Sequence, residues 1–506
     1  MNNKASIYPQ SNPDLTKIFE DAGHPAKVMC VALDYAKAQH SVLICNGRGD
    51  VLRSAFAVEN SLAGAKELLQ SVRTCAKQHK IGSGQAFFGG EDQPSFAENF
   101  LRRLRQEKFL VVRVNAAEAK KQRDNQQAST DKLDLLGIAR CCLKRHGQTV
   151  VDWPQAYANL RLATRDRDKL VRQRTAQSNR IHTYVDRLFP GFLNPTQSGL
   201  SPFGQASLDL MAAGLSPQAL SRRAQASLSS WLARRHVDQP LEAARQLKQL
   251  AKTALSAAPE QTLLLQRTLA QLVQLYQGLN RSIAALDREV AYWLARTPGA
   301  LLTSINGIGI TLAAGWTAEL GPPERWPGVR RICSYGGVVP KTEQTGGPDK
   351  PALTGYVSPR CNRRFKNVLL QAVEKVCRFG PEDLVHTAGK LLANGSHVQF
   401  AMAKRLVRIG KYLARTGTIY RPKQLLASDT PKATLVSYYL NQWDKLLEKW
   451  KAKADVKDVF APNHPLGKWR AMAKELYALE LRLPAQGSRL VLARQLQEGC
   501  NAGALE

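Results

Sequence analysis

Four acidic residues in the first third of the chain have the types and spacing of ligands for divalent metal ions. They are Asp34, Glu91, Asp131 and Asp134. Carboxylate oxygens suit Mg²⁺, and a pair of bound ions polarises a phosphate and lowers the pKa of the attacking group. If these carboxylates converge on one point, they predict a two-metal Mg²⁺ site for phosphodiester chemistry.

The first two acids come at the ends of apolar segments. Asp34 follows Val31–Leu33, where a carboxylate inside a sheet is costly without a cation. Glu91 follows Gly89-Gly90 at the end of a predicted strand, where we expect substrate to approach the backbone. Asp92 is an alternative ligand at this position, and an exposed loop carboxylate is the alternative role for Glu91.

The other two acids are three residues apart in a predicted helix. Asp131 and Asp134 then face the same side, where like charges repel unless a cation lies between them. Alternatively, Thr130 caps the helix and the acids only complement the helix dipole. Both interpretations remain open from the sequence.

Short apolar strands alternate with helices over residues 27–152, which predicts an α/β domain. The predicted strands are Val28–Leu33, Ser41–Cys45, Ser54–Val58, Gln85–Phe88 and Phe109–Val114. The predicted helices are Leu62–His79, Ser95–Glu107 and Asp131–Leu143. Between the last two, Asn115–Thr130 is expected to be a basic loop that presents Lys120, Lys121 and Arg123 to nucleic acid.

The remaining segments differ in composition from this domain. Residues 1–26 form a polar N-terminal extension, and residues 153–299 are predicted to be long helical or coiled-coil linker arms. The arms are Tyr157–Leu188 and Leu241–Leu294, interrupted by the Pro-, Gly- and Ser-rich stretch Phe189–Pro217, and such arms dimerise or span a distance. A third, compact region covers residues 300–424. Residues 425–506 are predicted to be a helical extension without an assigned function.

The charge of the chain indicates a polyanionic partner. It has 72 Lys and Arg against 41 Asp and Glu, a net charge of +31 spread over its length. Nucleic acid fits such a surface, because neutralising phosphates releases counterions. An anionic membrane surface is disfavoured, since the charge is not on one amphipathic helix.

Gly307 and Gly309 precede an apolar helix and resemble a helix-hairpin-helix, in which backbone amides approach a phosphate. Two stretches without acidic residues, Pro351–Val373 and Leu384–Ser428, carry further candidate phosphate contacts. The basic candidates are Arg360, Arg363, Arg364, Lys366, Lys404, Arg405, Arg408 and Lys411.

The nine cysteines include no CxxC pair, and no run of 18 apolar residues occurs. We therefore expect reduced thiols in a cytoplasmic protein that neither crosses a membrane nor is exported.

The acidic residues together resemble those of the DEDD (RuvC-like) insertion-sequence transposases, a family that includes the Piv-type DNA invertases and the bridge-RNA-guided recombinases. The match rests on Asp34 in a strand, on Glu91, and on Thr130-Asp131-Lys132-Leu133-Asp134. The usual Glu-Ala-Thr-Gly segment reads Glu91-Asp92-Gln93-Pro94 here. Downstream, residues 301–320, 332–341 and 357–366 resemble the family's helix-hairpin-helix, its Ala-Tyr-Ala-Gly-Leu-Thr-Pro-Arg block and its Ser-Lys-x-Gly-Asn helix.

The resemblance implies a fold, a cofactor and partners. The expected fold is an RNase H-like α/β N-terminal domain, long helical arms, and a mainly α-helical C-terminal transposase domain with a helix-hairpin-helix. It further implies bound Mg²⁺, DNA as substrate, a structured guide RNA, and a homo-oligomer, either dimer or tetramer.

The resemblance also points to a nucleophile. In the family, a Ser shortly after the Pro-Arg block attacks DNA, and Thr345 stands at that place in this chain. A Thr hydroxyl can attack phosphorus if a base or metal activates it. Ser358 is a nearby hydroxyl for which a helix cap is the alternative role.

The function predicted from these features is metal-dependent cleavage and exchange of DNA strands through a hydroxyl nucleophile. Two alternatives remain. One is a RuvC-like structure-selective endonuclease that uses water, and the other is a domesticated nucleic-acid-binding protein without catalysis.

Overall fold

The protein is described here from a computed structural model. It covers residues 12–91, 97–124, 130–343, 353–357, 361–394, 397–422 and 432–453, with 466, 467, 470, 471 and 474. The chain divides into two compact units, residues 1–152 and 153–506. Four residues singled out from the sequence lie outside the described residues, namely Asp92, Thr345, Ser358 and Arg360.

The first unit is built on a mixed sheet. Its strands are β1 (Met29–Asp34), β2 (Gln39–Asn46), β3 (Val51–Glu59), β4 (Ala86–Glu91), β5 (Leu110–Val114) and β6 (Gln148–Thr149), in the spatial order β3-β2-β1-β4-β5-β6. Strands β1, β4 and β5 are parallel, and the outer pairs are antiparallel. The predicted α/β character of this region is confirmed.

Helices cover both faces of the sheet. They are α1 (Pro13–Ala22), α2 (Leu62–Gln78), α3 (Glu98–Gln106), α4 (Ala116–Lys121) and α5 (Asp131–Leu143). Alternate residues of β1 point to opposite faces, so Val31 packs with α2 and α3 while Cys30 packs with α1, α4 and α5. All of β1 before Asp34 is buried, which explains its continuous apolar run.

Two segments of the first unit differ from the sequence-based expectation. The expected loop Asn115–Thr130 contains α4, because the Asn115 side chain accepts a hydrogen bond from the Ala117 amide and caps the helix. The N-terminal extension contains α1, whose Leu15 is fully buried. Asn12 caps α1 and donates to the Gly147 carbonyl at 3.2 Å, which ties this segment to the domain.

The second unit is mainly helical. Its first part contains α6 (Gln155–Leu188), α7 (Pro195–Ser198), α8 (Gln205–Ala212), α9 (Pro217–Arg222), α10 (Gln225–Ala233), α11 (Pro240–Thr253) and α12 (Pro259–Ala295). Its second part contains α13 (Ile310–Leu320), α14 (Val329–Tyr335), the antiparallel strands β7 (Pro340–Glu343) and β8 (Leu353–Val357), α15 (Arg363–Phe379), α16 (Glu382–Ala393), α17 (Val398–Thr416) and α18 (Lys432–Lys453).

The long helices α6 and α12 lie side by side and antiparallel. Arg187 contacts Gln261 near one end of the pair, and Arg167 contacts Asp287 towards the other. The prediction of one continuous helix over Leu241–Leu294 is wrong, because the chain leaves helical geometry at Ala254 and Pro259 starts a new helix. The intervening short helices share a core with the ends of the pair, built on Phe189, Phe192 and Met211 among others.

A second core joins the remaining helices. Pro298–Ser304 forms a 3₁₀ helix that precedes the Gly307-Ile308-Gly309 turn, so a helix-hairpin-helix stays a prediction here. Trp443 and Trp450 of α18 are fully buried in this core, and the Trp450 indole donates to Thr303 Oγ1 at 3.0 Å. Within the described ranges, no helix combines the length and apolarity needed to cross a bilayer.

Candidate functional site

The parallel strands bring the first two acids together. Leu33 of β1 is paired with Gly90 of β4, so the next residues, Asp34 and Glu91, lie at the same edge of the sheet. Both are the last residues of their strands and both are partly exposed. The carboxyl ends of β1 and β4 therefore form the base of the candidate site.

Two glycines before Glu91 permit close packing at this edge. A Cβ atom on Gly89 would lie 2.2 Å from Cys142 Sγ of α5, and one on Gly90 would lie 2.3 Å from the Tyr35 hydroxyl. The expectation that substrate approaches the backbone here is wrong, because protein side chains occupy both positions. Gly89 instead lets α5 come close to β4, and Gly90 leaves room for the Tyr35 ring.

Helix α5 supplies the other two acids. The Thr130 hydroxyl accepts a hydrogen bond from the Leu133 amide at 3.3 Å, which starts the helix and places Asp131 and Asp134 in its first turn. The Ser41 hydroxyl, on β2 opposite Asp34, donates to Asp131 Oδ2 at 3.2 Å. The capping role that the sequence left open is thus present, together with contacts towards the sheet.

Electrostatic effects show that the four acids share one environment. Burial, followed by the carboxylates of Asp134 and Asp131, raises the pKa of Asp34. Burial, followed by Asp34 and Asp134, raises the pKa of Glu91. The structure therefore brings together the acids that the sequence singled out, and their mutual repulsion favours a bound cation.

Arg123 provides one such cation from within the chain. Its Nη2 lies 2.6 Å from Asp134 Oδ1, its side chain is only 9% exposed, and its charge partly opposes the rise in the pKa of Asp34 and Glu91. The assignment of Arg123 to a nucleic-acid surface is therefore corrected. Sequence reasoning missed its place, and that of Ser41, because both contacts depend on how helices and strands pack.

The donor set fits a divalent metal ion. Hard carboxylate oxygens suit Mg²⁺, and Glu91 Oε1 is buried with no hydrogen-bond partner among the described residues. Such an atom is costly unless a cation or donor faces it. Across the described ranges, however, no three acidic, His or Cys side chains are already arranged to hold a metal ion. The four acids lie near one another, but their described side chains do not converge on one metal position.

The predicted glycines of the second unit have different surroundings. Gly307 has φ +92°, and a Cβ there would lie 2.8 Å from the Lys375 carbonyl oxygen of α15. Gly309 precedes the first turn of α13, and a Cβ there would meet no atom within 4 Å. Gly307 therefore serves packing, while only Gly309 has an open approach.

The basic residues of the second unit fall into two groups. Arg363, Lys404 and Arg408 are exposed, whereas the other described candidates are partly buried. Of these, the Lys411 ammonium donates to the Trp326 carbonyl at 2.6 Å, and Arg364 lies 3.9 Å from Asp168. The partly buried residues that remain are Lys366 and Arg405. In the first unit, Lys120 and Lys121 are exposed on α4.

A buried polar network that sequence reasoning missed surrounds Glu319. Arg165 donates to both of its carboxylate oxygens at 2.9 Å, and Asn362 donates to Oε2 at 2.8 Å. Burial alone would raise the pKa of Glu319, but these hydrogen bonds outweigh it and lower the pKa. Asn362 also caps α15 and donates to the Tyr335 hydroxyl. The sequence signal for this network was a single acidic residue, Glu319, within the apolar helix α13.

Comparisons with known proteins match both units. A model of DEDD transposases of the IS110 type, described as a transposase, matches residues 31–190, and one described as the transposase IS116/IS110/IS902 family matches residues 299–385. The chain is 31% identical over 165 residues to the transposase for insertion sequence element IS1328 of Yersinia enterocolitica. That similarity covers 30% of this chain and 47% of the relative, so the chain spans about half the length of the curated relative it matches.

The first match begins three residues before Asp34 and includes all four acids, and the second includes Gly307, Gly309 and Glu319. The matched segments carry the motifs on which the resemblance rests. The resemblance of this chain to the IS110-type DEDD insertion-sequence transposases is thus confirmed in both matched segments.

Proposed function

We propose that this protein is an insertion-sequence transposase that cleaves and exchanges DNA strands with divalent metal ions. The observation that carries the proposal is the gathering of Asp34, Glu91, Asp131 and Asp134 at one end of the sheet, with Glu91 Oε1 buried and lacking a partner among the described residues. The mixed sheet and the match to the DEDD transposase model support an RNase H-like character for this domain.

The four acids would hold Mg²⁺, which supplies polarisation of the scissile phosphate and a lowered pKa for the attacking group when it is bound. Asp34 and Glu91 would bind from the strand ends, and Asp131 and Asp134 from the first turn of α5. The sheet and the Thr130 cap fix the backbone positions from which these side chains extend.

Thr345 is the proposed nucleophile, on the basis of its place in the family motif. The last residue of β7, Glu343, is paired with the first residue of β8, Leu353, and Thr345 falls between them in the sequence. Its hydroxyl would attack phosphorus, form a phosphodiester bond to the protein and release a 3′ hydroxyl on DNA. The hydroxyl proton must pass to a base, the leaving 3′ oxygen must take up a proton, and a bound metal would lower the pKa of the attacking hydroxyl.

DNA, a structured guide RNA and further copies of the chain are the proposed partners. The net charge of +31 supports binding to a polyanion, and Arg363, Lys404 and Arg408 present exposed positive charge. The guide RNA and the oligomer rest on the family resemblance. Sequencing the RNA that copurifies with the protein tests the guide, since one abundant transcript from beside the gene supports it and bulk tRNA contradicts it.

Trapping of a covalent adduct tests the chemistry. Purified protein is incubated with Mg²⁺ and a labelled plasmid carrying the DNA around the gene, then denatured in detergent and resolved by electrophoresis. We expect a protein–DNA adduct that Thr345→Ala and Glu91→Gln abolish. Ser334→Ala, which removes an exposed hydroxyl of the same unit, serves as the matched control and should retain it.

The other outcomes identify the alternatives. Cleavage that survives Thr345→Ala without an adduct indicates a hydrolytic, structure-selective endonuclease. DNA binding without cleavage, unaffected by Asp34→Asn or Asp131→Asn but lost on Arg363→Glu, indicates a binding protein without catalysis.

A further inference from the structure

The side chain of Arg123 extends into the acidic cluster. Its guanidinium is 2.6 Å from Asp134 Oδ1, and its side chain is 9% exposed. It also acts on Asp34 and Glu91, the two acids on the strand ends. A single arginine therefore serves as counter-ion to three of the four carboxylates.

Helix α5 holds Arg123 and its neighbours in this position. Gly137 provides the space, since a Cβ there would lie 2.5 Å from the Ala119 carbonyl oxygen and 3.2 Å from Arg123 Cγ. One turn further along, Arg140 donates to the Gln122 carbonyl at 2.9 Å and pairs with both oxygens of Asp124, at 2.6 and 3.1 Å. The helix that carries Asp131 and Asp134 thus also fixes the residues on both sides of Arg123.

A guanidinium and a divalent metal ion cannot bind the same face of one carboxylate oxygen at the same time. Mg²⁺ requires its oxygen ligands at about 2.0–2.1 Å in near-octahedral geometry, and a positive group at hydrogen-bond distance on that oxygen would repel it. The acids are correspondingly gathered around Arg123 but not arranged to hold a metal, as far as the described residues extend. A metal that uses Asp134 Oδ1 therefore requires the guanidinium to move.

We propose that Arg123 is a built-in counter-ion that occupies the carboxylate cluster in the metal-free protein and is displaced when divalent metal binds. This inference rests on the proposed function, because it assumes that the four acids hold metal. Arg123 is a positioning residue, since it acts through the carboxylates. It stabilises the metal-free site and weakens metal affinity, because every binding event must first break its ion pair.

Displacement also couples the metal site to the chain around it. The contacts of Arg140 with Gln122 and Asp124 restrain the same segment from which the guanidinium must leave. Metal binding is therefore expected to loosen residues 119–124 while it orders the first turn of α5. This gives the inference a readout that does not depend on DNA cleavage.

Equilibrium binding of Mn²⁺ to the full-length protein tests the competition, with free Mn²⁺ counted by electron paramagnetic resonance. We expect Arg123→Gln to bind Mn²⁺ about tenfold more tightly, because a charge beside the site is removed. Lys121→Gln is the matched control. It removes one positive charge from the same segment, but its side chain is 54% exposed and pairs with Glu118. Its affinity should stay within about twofold of wild type.

The outcomes separate this inference from the proposed function. If wild type binds Mn²⁺ and Asp34→Asn does not, but Arg123→Gln binds with equal or lower affinity, the metal site stands and the displacement of Arg123 is wrong. If wild type shows no saturable Mn²⁺ binding, both ideas fail.

Hydrogen–deuterium exchange on the wild-type protein provides a test that needs no substitution. Peptides covering residues 119–124 should exchange faster when Mn²⁺ is added, and peptides covering residues 131–137 should exchange more slowly. Unchanged or slower exchange at 119–124 would contradict displacement even if Arg123→Gln failed to fold.

Discussion

The acidic cluster of the first unit and the cluster around Glu319 in the second unit both place partly or fully buried carboxylates beside arginines, but they differ in how well the negative charge is compensated. At the end of the first unit's sheet, Arg123 acts on three of the four acids, and burial and mutual repulsion still raise the pKa of Asp34 and Glu91. In the second unit, Glu319 alone receives two hydrogen bonds from Arg165 and one from Asn362, and its pKa is lowered.

The difference separates a candidate metal ligand from a structural carboxylate. Glu319 connects α6, α13 and the start of α15, and both of its oxygens have donors. Glu91 has an oxygen with no partner among the described residues, which costs stability and leaves a lone pair available for a metal. Burial and charge are common to both sites, so the presence or absence of donors is what distinguishes them.

The largest expected effect is on DNA cleavage, through substitution of Glu91 in the acidic cluster of the first unit. Glu91→Gln should reduce metal-dependent DNA cleavage about a thousandfold, since loss of a metal ligand removes several kcal/mol of transition-state stabilisation. Rates of plasmid cleavage in Mg²⁺ measure this. Glu67→Gln, an exposed acid on α2, is the control and should cleave at the wild-type rate. Equal cleavage rates for the two variants would show that Glu91 is not a ligand of the catalytic metal.

The next effect is on stability at the compensated site. Glu319→Ala should lower the free energy of unfolding by about 3 kcal/mol, because the guanidinium of Arg165 and the amide of Asn362 lose a buried partner. Chemical denaturation followed by tryptophan fluorescence measures it. Glu324→Ala, an exposed acid four residues beyond α13, should change stability by less than about 0.5 kcal/mol. An equally small loss of stability for Glu319→Ala would show that its hydrogen-bond network contributes little to folding.

A smaller effect on stability should distinguish a tightly packed glycine of the second unit from a glycine with open space around it. Gly307→Ala should cost about 2 kcal/mol, because φ is +92° and the new Cβ would meet the Lys375 carbonyl. Gly309→Ala meets no atom and should be nearly neutral for thermal stability. If Gly309→Ala nevertheless weakens DNA binding in a titration, a phosphate approaches the start of α13. Unchanged binding would exclude that contact.

The smallest effect is on the pH dependence of stability, which should have opposite signs for substitutions of Glu91 and Glu319. A raised folded-state pKa contributes stability below the unfolded pKa and loses it as pH rises through the folded pKa. Glu91→Gln should therefore stabilise the chelator-treated protein by about 1 kcal/mol at pH 7, as expected for an uncompensated buried group. This gain should fade below about pH 4.3, where the unfolded carboxyl is protonated.

Glu319→Gln should behave in the opposite way. Because the folded pKa of Glu319 is lowered, its contribution is present above the unfolded pKa and is lost as pH falls through the folded pKa. The variant should therefore be less stable than wild type at pH 7, and the difference should shrink in acid. Unfolding curves for both variants over a pH series measure this. Same-sign effects at pH 7 would contradict the contrast between the clusters.

Much of the candidate site could be read from the sequence. The apolar run that ends at Asp34, and the Thr-Asp-x-x-Asp start of α5, are local patterns that retain their meaning in the fold. Helix α4 was missed because a short polar helix depends on one cap, Asn115, and lacks apolar periodicity. The break at residues 254–258 was missed because leucines and alanines continue through it.

The sequence by itself determined the acids, the strands that end in them, the cap of α5 and the strongly basic character of the chain, because each depends on neighbouring residues or on composition. Only the tertiary structure decided what compensates each carboxylate. Arg123 and Asp134 are close in sequence, yet their ion pair depends on the packing of α4 against Gly137. Arg165 reaches Glu319 across 154 positions of sequence. Such contacts follow from how helices and strands pack, and no local pattern encodes them.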